Sequence, residues 1–127
     1  MLNKKIAFIG SGAMAEAMIG GLIRQKLAEP AHLLASGPRA ERGEQLKQKY
    51  NIIPFTDNAA AAAQADVVVL SVKPQRLTGV MKALKGAIRK DALVLSIIAG
   101  ATLKKIGQGL GHNAVARSMP NTPAQIG

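Results

Sequence analysis

The stretch Lys5-Ile6-Ala7-Phe8-Ile9-Gly10-Ser11-Gly12-Ala13-Met14-Ala15 constrains the fold of this chain more than any other. It joins a short apolar strand to a Gly-x-Gly-x-x-Ala turn and then to a helix. Each small residue has a mechanical reason. Gly10 permits a tight turn, Gly12 lets backbone N–H groups approach a pyrophosphate, and Ala15 lets the helix lie close to a sheet. An anion placed there faces a helix N-terminus, whose unpaired amides and dipole favour negative charge. The same pattern also occurs in ordinary strand-to-helix turns, so its surroundings decide. Ala15, Met18, Ile19 and Leu22 follow at helical spacing and form one apolar stripe fit to lie on a sheet.

The rest of the chain alternates strand and helix signals. The first helix is expected to run to about Leu27, and Pro30 breaks the pattern before a short strand, His32-Leu33-Leu34-Ala35-Ser36. A polar helix is expected over 38–49, with Pro38 in its first turn. Ile52-Ile53-Pro54-Phe55 then leads to a helix cap at Thr56-Asp57-Asn58 and a short helix over the alanine tract 59–63, alanine being the best helix former. The β-branched run 65–72 reads as a central strand covered on both faces. Lys73-Pro74-Gln75 opens another helix to about Ile88, and 92–98 repeats the buried-strand signature. Thr102 caps a brief helix through Leu110, and a sixth strand over 113–117 precedes the loop Ser118-Met119-Pro120-Asn121-Thr122-Pro123.

Six strands alternating with helices imply an α/β fold: a doubly wound, mainly parallel six-stranded sheet with helices on both faces, since parallel neighbours need right-handed crossovers. In the order 3-2-1-4-5-6 the carboxyl ends of the first and fourth strands flank the point where the winding reverses. The Gly10 turn would then stand beside Ser71-Val72-Lys73-Pro74.

A chain of 127 residues has room for one domain with a proper core, so 1–127 is read as a single dinucleotide-binding unit of the Rossmann type. Cysteine is absent, which excludes disulfides and thiolate metal sites and fits a cytoplasmic protein. The apolar run before Gly10 is too brief for a signal peptide or a membrane span, so no membrane partner is expected. Lys and Arg outnumber Asp and Glu by 17 to 7, and the net charge of +10 favours polyanionic partners or a phosphorylated ligand. With one Tyr, two Phe and no Trp there is little to stack bases on, so nucleic acid is not expected. No metal site and no catalytic acid–base pair is legible, and His32 and His112 read as structural.

The end of the second strand discriminates between dinucleotides, because an acidic residue there accepts hydrogen bonds from the adenosine ribose. Here the chain reads Ser36-Gly37-Pro38-Arg39-Ala40-Glu41-Arg42, with two arginines in place of that acid. Arginine suits a bidentate phosphate contact, so NADP(H) is expected in preference to NAD(H), which remains possible. The alternative is that both arginines are solvated helix charges, and it weighs more for Arg42 than for Arg39.

Four motifs in this order and spacing resemble the pyrroline-5-carboxylate reductase family: Phe8 to Ala15, Ser71-Val72-Lys73-Pro74-Gln75, Ser96-Ile97-Ile98-Ala99-Gly100, and Met119-Pro120-Asn121-Thr122-Pro123. The resemblance spans essentially the whole chain. It implies NAD(P)H-dependent reduction of the cyclic imine 1-pyrroline-5-carboxylate to proline, the last step of proline biosynthesis. It further implies that Ile9, Gly10, Ser11, Gly12, Ala13 and Met14 hold the pyrophosphate, and that Ser36, Gly37 and Arg39 meet the adenosine ribose and its phosphate. Asn58 would contact the cofactor, Ser71, Val72, Lys73 and Pro74 would line its middle, and Ile97, Ile98 and Ala99 would run beneath the nicotinamide. Asn121 and Thr122 would bind substrate. The family continues into a helical C-terminal region that builds its homo-oligomer and much of the substrate pocket. That region is expected to be missing here, leaving this chain alone inactive. Two other readings stay open: a non-catalytic NADP-binding sensor module, and a related β-hydroxyacid-dehydrogenase-like reductase. A basic nucleic-acid binder ranks last.

Overall fold

In a computed structural model that describes residues 3–117, six strands form one all-parallel sheet in the order β3-β2-β1-β4-β5-β6. The elements follow the chain as β1 (Ile6–Ile9), α1 (Ala13–Arg24), β2 (Leu33–Ser36), α2 (Ala40–Tyr50), β3 (Ile53–Phe55), α3 (Asn58–Ala63), β4 (Val67–Leu70), α4 (Leu77–Leu84), β5 (Leu93–Ser96), α5 (Leu103–Leu110) and β6 (Val115–Arg117). The doubly wound order expected from the alternation is therefore the one observed, with β1 and β4 at its centre. Asn121, Thr122 and the Met119–Pro123 motif lie outside the described residues.

The two faces of the sheet carry separate cores because successive side chains on a strand point to opposite sides. Ala7 and Ile9 of β1, Leu34, Val68, Leu70 and Val94 pack with Ala61 and Ala62 of α3, Leu77, Met81 and Leu84 of α4, and Ile106 and Leu110 of α5. Ile6 and Phe8, with Leu33, Ala35 and Val69, pack on the other face with Ala15 and Ile19 of α1 and Leu46 of α2. Burial on both sides explains why β1 and β4 read as unbroken apolar runs rather than alternating ones. The alanine tract is a helix for the reason its composition suggests. Its N-cap is Asp57, whose carboxylate accepts from the Ala59 and Ala60 amides.

Several boundaries differ from expectation. His32 is not in β2; it closes a single 3-10 turn, Pro30–His32, which Pro30 starts with its fixed φ. The first helix stops at Arg24 rather than Leu27, with Lys26 at φ 57°, and the fourth stops at Leu84, where Lys85 turns extended. The second helix starts at Ala40 with Arg39 as its N-cap, so Pro38 stands outside it. The buried-strand signature of 92–98 holds for one face alone. Val94 and Ser96 are buried, Val94 in the core packed by α4 and α5, whereas Leu93 is 40% exposed and Leu95 is only half-buried against the core on the α1 and α2 face.

Candidate dinucleotide-binding site

The β1–α1 turn is held in place from both sides. The Gly10 N–H donates to the Ser36 carbonyl of β2 at 2.9 Å, and the Ser71 N–H, just past β4, donates to the Ile9 carbonyl at 2.9 Å. The Ser71 hydroxyl sits 3.1 Å from the Ile9 carbonyl oxygen and 2.8 Å from that of Gly10, and shares its one hydrogen between them. Gly10 adopts φ +108°, a left-handed conformation that side chains resist, and a Cβ there would lie 2.6 Å from the Ser71 carbonyl oxygen. The turn and the end of β4 thus touch backbone to backbone. Gly12 differs: its φ of −83° suits any residue, and a Cβ on it would meet nothing of the described residues within 4 Å. It faces open space at the N-terminus of α1, where no side chain caps the helix and its first amides keep their hydrogen-bonding capacity.

That space is a cavity of about 600 Å³ at the carboxyl ends of β1, β2 and β4, where the strand order reverses. Of the site residues expected from sequence, Gly10, Ser11, Gly12, Ser36, Gly37, Arg39, Asn58, Ser71, Val72 and Lys73 line it. Four segments far apart in the chain supply them. The Ser36 hydroxyl, fully buried, donates to Asn58 Oδ1 at 2.7 Å, which orients the Asn58 amide on the cavity wall. Asn58 is therefore not the helix cap, a role that falls to Asp57.

The other expected residues stand apart from this wall. Ile9 is fully buried beneath the turn, and Ala13 and Met14 begin α1, Met14 with 47% of its surface exposed. Pro74 opens the 3-10 turn Pro74–Arg76. Ile97, Ile98 and Ala99 follow β5, one strand further out, and the Ile98 side chain belongs to the core packed by α4 and α5. Neither histidine is near the site. His112 places Nε2 2.7 Å from the Ala92 carbonyl at the far end of β5.

Pro38, Thr56, Arg76 and Val80 also line the cavity and were not singled out in the sequence. A signal for two of them existed. Arg76, the N-cap of α4, and Val80 in its first turn are four apart, so they share the face that turns toward the loop. With Arg39, Arg42, Lys73 and Arg76 on its wall and no Asp or Glu among its lining residues, the cavity is built for an anion.

Among the described residues, Arg42 is the arginine of that set already engaged. Its Nε–H donates to the Ser11 carbonyl at 2.7 Å and an Nη2–H to Glu16 Oε1 at 2.8 Å. The Glu16 carboxylate also accepts from Lys49 Nζ at 3.0 Å and from the Tyr50 hydroxyl at 2.8 Å. The hydrogen bonds from Lys49, Tyr50 and Arg42, in that order of weight, lower its pKa to about 2. Glu16 is thus a fixed anion on α1 to which α2 is tied at three points.

Fold and site together define a dinucleotide-binding oxidoreductase domain of the doubly wound class. The gap left by the missing Cβ of Gly12, against uncapped helix amides and a cationic wall, fits the pyrophosphate of such a cofactor. Across residues 5–100 the chain matches the profile of the family described as NADP oxidoreductase, coenzyme F420-dependent, and it belongs to that family. A pyrroline-5-carboxylate reductase of Pseudomonas aeruginosa is 44% identical over 127 residues, covering 99% of this chain and 46% of the relative. A pyrroline-5-carboxylate reductase structure from Coxiella burnetii superposes with a TM-score of 0.89 at 33% identity, over 98% of this chain and 47% of that one. The NADP-bound pyrroline carboxylate reductase of Plasmodium falciparum gives a TM-score of 0.81 at 26% identity, over 99% and 45%. The resemblance read from the four motifs is borne out, and the chain spans about half the length of the curated relatives it matches.

Proposed function

We propose that this chain is the cofactor-binding half of an NAD(P)H-dependent reductase that converts 1-pyrroline-5-carboxylate to proline, with NADPH preferred to NADH. The observation that carries the reading is the cavity at the reversal of the sheet, which gathers the Gly10 turn, Arg39 and Lys73 from three loops onto one wall. When bound, the reduced nicotinamide supplies a hydride from its C4 position to the imine carbon. The part of this chain is to bind and orient. The amides at the start of α1 take the pyrophosphate, Asn58 and Ser71 to Lys73 hold the middle of the dinucleotide, and Ile97 to Ala99 support its nicotinamide end. Arg39, which makes no ion pair among the described residues, receives the adenosine 2′-phosphate. Asn121 and Thr122 complete the substrate side.

The preference for NADPH is supported by the wall's chemistry. The rim at the end of β2 presents Ser36, Gly37 and Arg39 where an acidic residue would instead grip an unphosphorylated ribose. The partners on this reading are the small imine and, at the full length of the relatives, a second copy of the protein in the cytoplasm. Fluorescence titration tests it: the chain binds NADPH more tightly than NADH, and Arg39→Glu narrows or reverses the ratio. Equal affinities in the unmutated chain overturn the preference. A polypeptide extended to the relatives' full length is expected to oxidise NADPH when the imine is added; binding without turnover there favours the sensor module instead.

A further inference from the structure

Arg42 was read from sequence as either a phosphate ligand or a solvated charge, and its geometry fits neither. One edge of its guanidinium is spent on the Ser11 carbonyl and on the Glu16 carboxylate, which pairs with Lys49 as well. Only 23% of its side chain is exposed, and the same holds for Glu16. Its main acceptor lies inside the phosphate turn. The Ser11 carbonyl belongs to the same planar trans peptide unit as the Gly12 N–H, and in such a unit the two groups point in opposite directions. Drawing the carbonyl toward α2 therefore turns the Gly12 N–H away from Arg42. That N–H donates to no backbone acceptor among the described residues.

We propose that Arg42 is a positioning residue: braced by Glu16, it fixes the Ser11–Gly12 peptide plane so that the turn presents its amide to a pyrophosphate before any ligand arrives. The proposal rests on the dinucleotide reading above and adds a division of labour to it. Arg39 discriminates by the 2′-phosphate, while Arg42 serves every dinucleotide alike. A preformed anion site spares the ligand the work of ordering the loop, so its loss weakens all ligands that use the loop by one factor. At Gly37 an added Cβ would run into the Ser11 side chain, so the turn and the β2–α2 loop approach closely there.

The test titrates NADPH, NADH and adenosine 2′-monophosphate, which has no pyrophosphate, into the unmutated chain, Arg42→Ala, Glu16→Ala and the double variant. The expected result is a loss of about tenfold for both dinucleotides with Arg42→Ala, an unchanged NADPH-to-NADH ratio and little change for the monophosphate. Glu16→Ala gives a smaller loss of the same pattern, and the double variant loses no more than Arg42→Ala, because both substitutions break one brace. A merely structural brace would lower the thermal midpoint and leave the affinity of the folded protein as it was. Loss of NADPH binding alone, or no loss at all, overturns the proposal. If Arg42→Ala does not fold, Glu16→Ala carries the same comparison. Failure of the unmutated chain to bind either dinucleotide would instead refute the cofactor reading itself.

Discussion

Gly10→Ala and Gly12→Ala, two substitutions of the same chemistry two residues apart, are expected to fail in opposite ways. At Gly10 the added methyl would lie 2.6 Å from the Ser71 carbonyl oxygen, 2.7 Å from its carbon and 2.8 Å from the Val72 nitrogen. All three are backbone atoms of the segment leaving β4, and none can rotate aside, so the turn and the strand end must part by several tenths of an ångström. The φ of +108° adds strain of its own. Backbone strain of about 1–3 kcal/mol and overpacking of about the same size sum to roughly 2–6 kcal/mol. In a domain of this size that lowers the thermal midpoint by roughly 8–25 °C.

At Gly12 the methyl meets no atom of the described residues and the backbone angles are ordinary, so stability should change by less than about 1 kcal/mol, the difference between Gly and Ala at an N-cap, and the midpoint by less than about 4 °C. What the methyl does occupy is the path of the pyrophosphate. The assay is thermal unfolding with and without NADPH. A ligand at a hundred times its Kd stabilises the native state by about 2.7 kcal/mol, which the unmutated chain should show and Gly12→Ala should not. An unchanged midpoint for Gly10→Ala, or a full ligand-induced shift in Gly12→Ala, would refute the assignment of the two glycines.

Two further outcomes follow from the packing around the site. The depressed pKa of Glu16 means that its ion pairs stabilise the fold fully above its ordinary value near 4.5, and that this stability is lost as pH falls toward about 2. With water still reaching the carboxylate the contribution is about 1–2 kcal/mol, so Glu16→Gln should be less stable than the unmutated chain at pH 7 by that amount in urea unfolding; a gap that does not shrink below pH 4 would contradict it. Asp57→Ala removes the cap of α3 and should cost about 1 kcal/mol, roughly 4 °C, in the same measurements, with no change if the Ala59 and Ala60 amides find water instead.

How far the sequence could be read depended on whether a feature is local. The Gly10 turn, the apolar runs of β1 and β4, the alanine helix and the cap at Thr102, which accepts from the Lys105 N–H at 3.1 Å, each state their structure within a few residues. Arg42 does not, because its partners Ser11 and Glu16 are 31 and 26 residues away. The same holds for β5, whose Leu93 is exposed and Leu95 half-buried although its apolar run reads as buried on both faces, and for Arg76, which reaches the site only once α4 begins beside β4.

Alternating periodicity and the glycine spacing were enough to decide that this chain is a parallel doubly wound sheet with an anion-binding turn at its first crossover, since strand and helix periods and a left-handed glycine are properties of short segments. The tertiary structure alone decided which cations stay free to meet a ligand. Arg39 and Arg42 are three residues apart and chemically identical, yet among the described residues one stands on the cavity wall without an ion pair and the other is consumed by a carbonyl and a carboxylate from α1 and its turn. Pairing between distant elements is set by how helices lie against the sheet, and that packing leaves no mark in the spacing of residues along the chain.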